Sequence, residues 1–232
     1  MTENIYNSGT YLCNNPTWHT EDSSWKAALI HKMICINNVN PKSVVEVGCG
    51  GGEILSQLSQ KMPASTHFYG FDVSPDAIRL CEKINVDRIK FVLGDFLIEN
   101  RDNYDLLLAI DVIEHLEDYH TFLREVKDVA TYKLFHIPLE INLLGVLFSQ
   151  LSRSKKQVGH LHFFTKDLAL LLLCDLGYEI VDYRLTPGFE LTGKNHPLSS
   201  KILKSPRKLA YLISEDATSN LLGGCSLMVL TK

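Results

Sequence analysis

Three carboxylates and a glycine cluster in the first half of the chain have the types and spacing to hold a charged ligand. The segment VVEVGCGGGEIL (44–55) runs from a β-branched stretch into Gly48, Gly50 and Gly52 and then into helical spacing. The glycines therefore fall at a strand-to-helix turn, where positive φ and close approach of a ligand to the backbone are possible. Alone they fit a nucleotide loop of several kinds or a plain tight turn. A dinucleotide loop reads GxGxxG, with the helix N-terminus aimed at a pyrophosphate, whereas here the glycines run GxGxG and Glu46 stands two residues ahead. A carboxylate at that mouth disfavours phosphate and favours a cation. Asp72 closes the next apolar run, 24 residues after Gly48, where a carboxylate can accept from both hydroxyls of a ribose. Asp95, in Gly94-Asp95-Phe96, closes the third and could accept from an exocyclic adenine amine, with Phe96 against the base. Each aspartate singly is explained as well by a helix cap. Three acidic groups at successive strand ends describe a ligand with an ammonium, a ribose and an adenine but no phosphate.

The elements that must position these groups follow from hydrophobic period. Strands are expected at Ser43 to Val47, His67 to Phe71, Ile89 to Leu93, Tyr104 to Ile110, Tyr132 to Ile137, Glu179 to Leu185 and Ser226 to Leu230. Most are too apolar to leave one face in water, so they read as buried central strands. Helices are expected near Gly52, at Pro75 with Ser74 as cap, near Asp118, and at Lys166 with Thr165 as cap. The alternation predicts one α/β domain over 1–232: a Rossmann-like, seven-stranded, mostly parallel sheet with helices on both faces. Three stretches fall outside the rhythm: 1–40, with a helix expected from Ser24 to about Ile36, 138–164, and 186–222 with a further helix. Such additions usually cover the ligand edge of an open sheet. The apolar run Ile141 to Leu151 is expected to be an amphipathic helix packed on the core.

Composition bounds the partners. The 232 residues are 45% hydrophobic and 22% charged with a net charge of −4, which excludes a polycation gripping nucleic acid by bulk charge. Six cysteines without CxxC or Cys/His spacing argue against a zinc module and suit reduced thiols. No metal is expected. No apolar run reaches 18 residues and the N-terminus lacks a basic-then-apolar leader, so neither a membrane span nor a signal peptide is expected, and the default location is cytoplasmic.

The four segments VVEVGCGGGEIL, FYGFDVSPDAI (68–78), FVLGDF (91–96) and YDLLLAIDVIEHLED (104–118) occur in this order. In this the chain resembles the class I S-adenosylmethionine-dependent methyltransferases, particularly the small-molecule group that includes the ubiquinone-biosynthesis O-methyltransferases. The likeness runs from about 42 to 185 with a final strand at 226–230, and it implies an antiparallel last strand. It also implies that Glu46, Gly48, Cys49, Gly50 and Gly52 border the methionine part of S-adenosylmethionine and that Asp72 takes the ribose. Val73, Asp95 and Phe96 would frame the adenine, with Ile110 and Asp111 beneath the sulfonium. Product S-adenosylhomocysteine would occupy the same site.

On that footing two histidines are candidates to accept the proton of a hydroxyl acceptor. His115 follows the fourth strand, and His160 sits in GHLHFFT ahead of the capped helix; relatives commonly carry histidine or arginine there. A histidine bonding a loop carbonyl explains either equally. His162 is a substrate-side candidate, and His136, inside the fifth strand, reads as a core histidine or cavity wall. Tyr11, Trp18 and His19 lie in a stretch that in relatives folds over the cofactor as a lid, although Trp18 and Trp25 could equally anchor a helix to the core.

The expected function is methyl transfer to a small molecule, preferably at a hydroxyl such as that of a sugar, phenol or other polar metabolite. The fourth strand lacks the Asn-Pro-Pro-Tyr type of motif used on planar nitrogens, Asp111-Val112-Ile113-Glu114 standing in its place. A small amine acceptor, a nucleotide-dependent oxidoreductase and a non-catalytic cofactor binder stand as alternatives.

Overall fold

Apolar runs without alternation need cover on both faces, and the computed structural model, which describes residues 20–191 and 198–232, supplies it with helices on each side of one sheet. Its strands are β1 (Ser43–Val47), β2 (His67–Asp72), β3 (Ile89–Leu93), β4 (Tyr104–Ile110), β5 (Ala130–Pro138), β6 (Ile180–Thr186) and β7 (Ser226–Thr231). The order is β3-β2-β1-β4-β5-β7-β6. Strands β1 to β5 pair in parallel, and β7 runs antiparallel between β5 and β6, as the resemblance implies. The helices are α1 (Thr20–Ile36), α2 (Glu53–Ser59), α3 (Pro75–Cys81), α4 (Phe96–Glu99), α5 (Tyr119–Val126), α6 (Leu143–Leu147), α7 (Gln150–Gln157), α8 (Lys166–Asp175), α9 (Leu198–Ile213) and α10 (Glu215–Leu221).

Strand β4 shows how the two cores are divided. Leu106, Leu108 and Ile110 join Val44, Leu55 and Phe68 on one face, where Ala27, Ile30, Met33 and Ile34 of α1 cover them. Leu107 and Ala109 join Val45, Phe135 and Val229 on the other, beneath α5 and α8. The period of two along the strand sends successive side chains to opposite cores. From β1 the chain steps outward to β2 and β3, then returns to lay β4 on the opposite side. That reversal opens a crevice at the carboxyl ends of β1 and β4.

Local signals set the helix starts. Ser74 accepts from the Ala77 N–H with Pro75 in the first turn, Asp118 accepts from Thr121 and Thr165 from Leu168. Three expectations are corrected. The helix expected from Ser24 begins at Thr20. The run Ile141 to Leu151 is two short helices, broken at Ser149 with φ of 54°, and it does not pack its apolar side on the core: Val146, Leu147 and Phe148 are 56–67% exposed. Among its described residues the stretch 186–222 holds two α-helices instead of one, and Pro206 lies inside α9.

Candidate active site

The carboxyl ends of the first four strands and the loops behind them line one crevice of about 990 Å³. Its floor is the glycine turn. Gly48, Gly50 and Gly52 have φ of 69°, 53° and 75°, a region that side chains with a Cβ rarely adopt. At Gly48 a Cβ would come 2.8 Å from Val112, so the turn can lie this close to the end of β4 only with glycine there. The Gly48 and Cys49 N–H groups both donate to the Phe71 carbonyl, which ties the turn to β2.

Asp72, at the tip of β2, accepts from the Gly50 N–H and the Ser74 N–H, one on each oxygen at 2.8 Å. Each oxygen keeps a further lone pair in the crevice wall. Burial pushes its carboxyl up, and the two N–H donors pull against that rise. Glu46 is 1% exposed, and its Oε2 has no hydrogen-bond partner among the described residues. Burial drives its carboxyl well above the usual range, with the Cys81 thiol adding to the rise. A buried carboxylate oxygen without a donor is costly, and an ammonium at this wall would supply one. Asp95 is exposed, caps α4 through the Leu97 N–H at 2.9 Å and lines the same crevice. Phe96 packs edge-on against Phe71 at 5.1 Å between ring centres and shows only its margin to the cavity.

At the end of β4, Asp111 takes φ of 54° and turns its carboxylate between a lysine and a histidine. Lys26 Nζ of α1 lies 2.8 Å from one oxygen and His136 Nδ1 of β5 lies 2.6 Å from the other. Burial alone would raise the Asp111 carboxyl; the charges of Lys26 and His136 overcome it and hold the group far below the ordinary range. His136 also meets the Thr186 hydroxyl at 2.9 Å. It is 2% exposed and is a core group bracing Asp111, not a wall of the crevice.

The opposite wall comes from the 3-10 turn at Ile113–His115 and the loop before α8. The Leu161 and His162 N–H groups both donate to the Glu114 carbonyl, which brings His160 over the end of β4. His160 gives its Nδ1 to Glu140 Oε2 at 2.6 Å, and Glu140 is held in turn by the Ser154 hydroxyl. Because a carboxylate only accepts, the proton lies on Nδ1, and Nε2 is the nitrogen left to take one. The His115 ring stands edge-on to His160 at 4.8 Å. Burial, with His160 next to it, lowers His115 to about 4, so it is neutral near pH 7. Beside them Glu114 is buried, both its oxygens lack a hydrogen-bond partner among the described residues, and burial with the Asp111 charge drives it well up. Glu114, His115 and His160 bring ligand atoms within 4.8 Å of one another, and two imidazoles with a carboxylate suit a divalent transition ion. The sequence hides this cluster, because His160 lies 45 residues beyond His115.

Of the other sequence candidates, Gly48, Cys49, Gly50, Val73, Ile110, His115 and His160 line the crevice, whereas Gly52 lies against Phe91 and does not. His162 does not reach its wall and lies edge-on to Tyr119 at 4.6 Å between ring centres. Tyr11, Trp18 and His19 lie outside the described residues. Lys26 and Glu140 were missed in the sequence, where nothing marks which distant group a lone lysine or glutamate will meet. The insertion at 138–164 reaches the crevice through Pro138, Lys155 and 158–161, whereas none of the described residues of 186–222 does.

An open, mostly parallel sheet with an antiparallel β7, a glycine turn after β1 and acidic groups at the next strand ends defines a class I S-adenosylmethionine-dependent methyltransferase domain. The chain belongs to the methyltransferase domain family, whose pattern covers residues 39–174. It is 30% identical over 97 residues to ajmaline N-methyltransferase of Rauvolfia serpentina, a match covering 39% of this chain and 33% of that protein. It is 24% identical to a ubiquinone biosynthesis O-methyltransferase of Rickettsia bellii, over 49% of this chain and 50% of the other. The chain thus spans about a third to a half of the length of these relatives. In fold it is similar to magnesium protoporphyrin IX methyltransferase of Synechocystis PCC 6803 with bound S-adenosylhomocysteine, with a TM-score of 0.60 and 13% identity over 90% of this chain and 82% of that one.

Proposed function

We propose that the protein binds S-adenosylmethionine and transfers its methyl group to a hydroxyl of a small molecule. The residues present fit the cofactor. The unpartnered oxygen of Glu46 would meet its ammonium, the spare lone pairs of Asp72 its ribose hydroxyls, and Asp95 with Val73 its base. When bound, the cofactor supplies a methyl group on a sulfonium, an electrophile that needs a lone pair in line and about 3 Å away.

The observation that carries the choice of a hydroxyl is that His160, in the crevice wall, is paired behind it with Glu140. Glu140 fixes the ring and its tautomer, and Nε2 takes the hydroxyl proton as the acceptor oxygen becomes nucleophilic. An amine acceptor has less need of such a group, and the matched relatives include both N- and O-methyltransferases by name. Substituting His160→Ala is expected to cut kcat roughly 10²- to 10⁴-fold on a hydroxyl acceptor, with affinity for S-adenosylhomocysteine retained in calorimetry. Near-normal turnover would remove His160 from proton transfer. Binding of NAD in place of S-adenosylhomocysteine would reject methyl transfer altogether.

A second reading is favoured by the Glu114, His115 and His160 cluster. In it a divalent cation, not an imidazole, activates the acceptor oxygen. Turnover lost on chelation and restored by Mn²⁺ or Zn²⁺ supports the cation; turnover indifferent to chelator supports the imidazole.

A further inference from the structure

Two stretches of this acidic chain contain no Asp or Glu at all. Residues 141–165, which build α6 and α7, carry Arg153, Lys155 and Lys156; residues 191–214, which include α9, carry Lys194, Lys201, Lys204, Arg207 and Lys208. Eight cations are thereby set apart, of which Arg207 is buried and donates to the Leu222 carbonyl, and the rest of the chain holds fifteen basic residues against twenty-seven acidic ones. The same stretches hold the six most exposed large apolar side chains among the described residues. Leu143, Val146, Leu147 and Phe148 of the first are 51–67% exposed, and Ile202, Leu209, Leu212 and Ile213 of α9 are 65–82% exposed. On α9 these positions follow helical spacing and form one outward stripe, with Lys201 and Lys208 each next to a stripe residue. Helix α10 packs against both α6 and α9, so it joins the two elements that carry the patches. Its acidic residues, Glu215 and Asp216, sit in its first turn, and Asp216 is tied to Lys166 at 2.6 Å.

We propose that α6, α7 and α9 form a docking face for an anionic lipid bilayer, and that the methyl acceptor is a hydroxyl-bearing amphiphile drawn from that surface. The second half rests on the methyl-transfer reading above. Exposed Leu, Ile, Val and Phe beside lysines, with no acid among them, is the pattern of a helix that lies in a lipid interface. Each cation near an anionic leaflet is worth about fivefold in partition. Two alternatives fit less well. A second copy packed on the same face would set lysines against lysines, and a single-stranded nucleic acid would call for aromatic platforms in place of aliphatic side chains. The placement also serves the chemistry, because α7 and the loop after it supply Lys155 and residues 158–161 to the crevice wall. A surface that holds the bilayer there puts its headgroup layer at the mouth of the site.

The test is flotation of the whole chain with vesicles of phosphatidylcholine alone and of phosphatidylcholine with about a third phosphatidylglycerol. Binding to the anionic vesicles only, weakened by salt, is expected. Leu212→Glu with Ile213→Glu, and separately Leu147→Glu with Phe148→Glu, should each weaken it at least about tenfold with melting temperature and S-adenosylhomocysteine affinity unchanged. No binding to anionic vesicles overturns the docking face, and so does binding that both pairs leave intact. A melting temperature lowered by the substitutions, or a dimer that they split, shows that protein covers the stripe and overturns it equally. S-adenosylhomocysteine titration of the wild type keeps the two ideas apart: failure there sinks methyl transfer and leaves the docking face standing. Vesicle binding with turnover only on soluble acceptors overturns the amphiphile.

Discussion

Asp111 shows how much one side chain can be asked to do at a strand end. Its backbone turns into the left-handed region, and its carboxylate neutralises Lys26 from α1 and meets His136 from β5. Removing one partner of a buried ion pair leaves the other charge stranded and costs about 3–5 kcal/mol. With 28% of the Asp111 side chain exposed, solvent screening brings the expected cost of Asp111→Asn to about 2–3 kcal/mol. The sign of its pH dependence follows from the carboxyl being held below its ordinary value. The unfolded chain takes up this proton near pH 4 and the folded chain only far lower, so the stabilisation is complete above about pH 5 and fades as pH falls below 4. Denaturation of wild type and Asp111→Asn from pH 7 to pH 3 should show a gap that is flat above pH 5 and shrinks below 4; a constant gap would mean that the pairing does not stabilise the fold. Asp111 was legible as a site residue only through the resemblance of YDLLLAIDVIEHLED to the family's fourth segment. Lys26 and His136 were not legible as its partners, since they stand 85 residues before and 25 after it and only the fold brings them together. The same holds for Glu140, whose role depends on a loop folding back onto Glu114.

Helix α6 is five residues long, too short to form on its own propensity, and Asn142 holds it in place. This buried side chain caps α6 by accepting from the Gly145 N–H at 2.8 Å, and it donates to the Glu140 carbonyl at 3.0 Å. It also fills the space a Cβ on Gly223 would need. Asn142→Ala removes the cap and leaves a carbonyl without a donor, which together cost about 2 kcal/mol. Chemical denaturation should register that loss, and a melting point roughly 4–8 °C lower should accompany it; a change under half a kcal/mol would mean that the loop is held by other contacts. The central strands β1, β2 and β4 were readable almost to the residue, because runs buried on both faces are bounded by Gly, Pro and Asp. The stretch 141–151 was not. An apolar stripe at helical spacing looks the same whether it faces the protein or the outside, and only the break at Ser149 and the outward turn of Phe148 distinguish the two.

At the scale of the whole molecule, the crevice lies between the packed cores and the turns that rim the strand ends. Behind it lie two cores shared by seven strands and α1, α5 and α8; in front stand the glycine turn, the 3-10 turn and the α6–α7 insertion. A ligand that bridges the strand ends therefore stabilises the folded state as a whole, by about 2.7 kcal/mol when present at 100 times its Kd. For a chain of this length that is roughly 5–11 °C in melting temperature. The shift should be largest for a compound with an ammonium, a ribose and an adenine, because Glu46, Asp72 and Asp95 come from three successive strands, and only a ligand spanning all three gains from each. Adenosine alone should give a smaller shift at the same concentration, and a dinucleotide little, since Glu46 stands where its phosphates would lie. In Asp72→Ala the ribose hydroxyls lose their acceptor, worth about 1–3 kcal/mol, so the shift with S-adenosylhomocysteine at fixed concentration should fall by several degrees. Thermal melts of both proteins with the three ligands decide the matter. Equal shifts in wild type and Asp72→Ala would place the ligand away from the end of β2, and a larger shift with the dinucleotide would overturn the assignment of the three carboxylates to one cationic nucleoside.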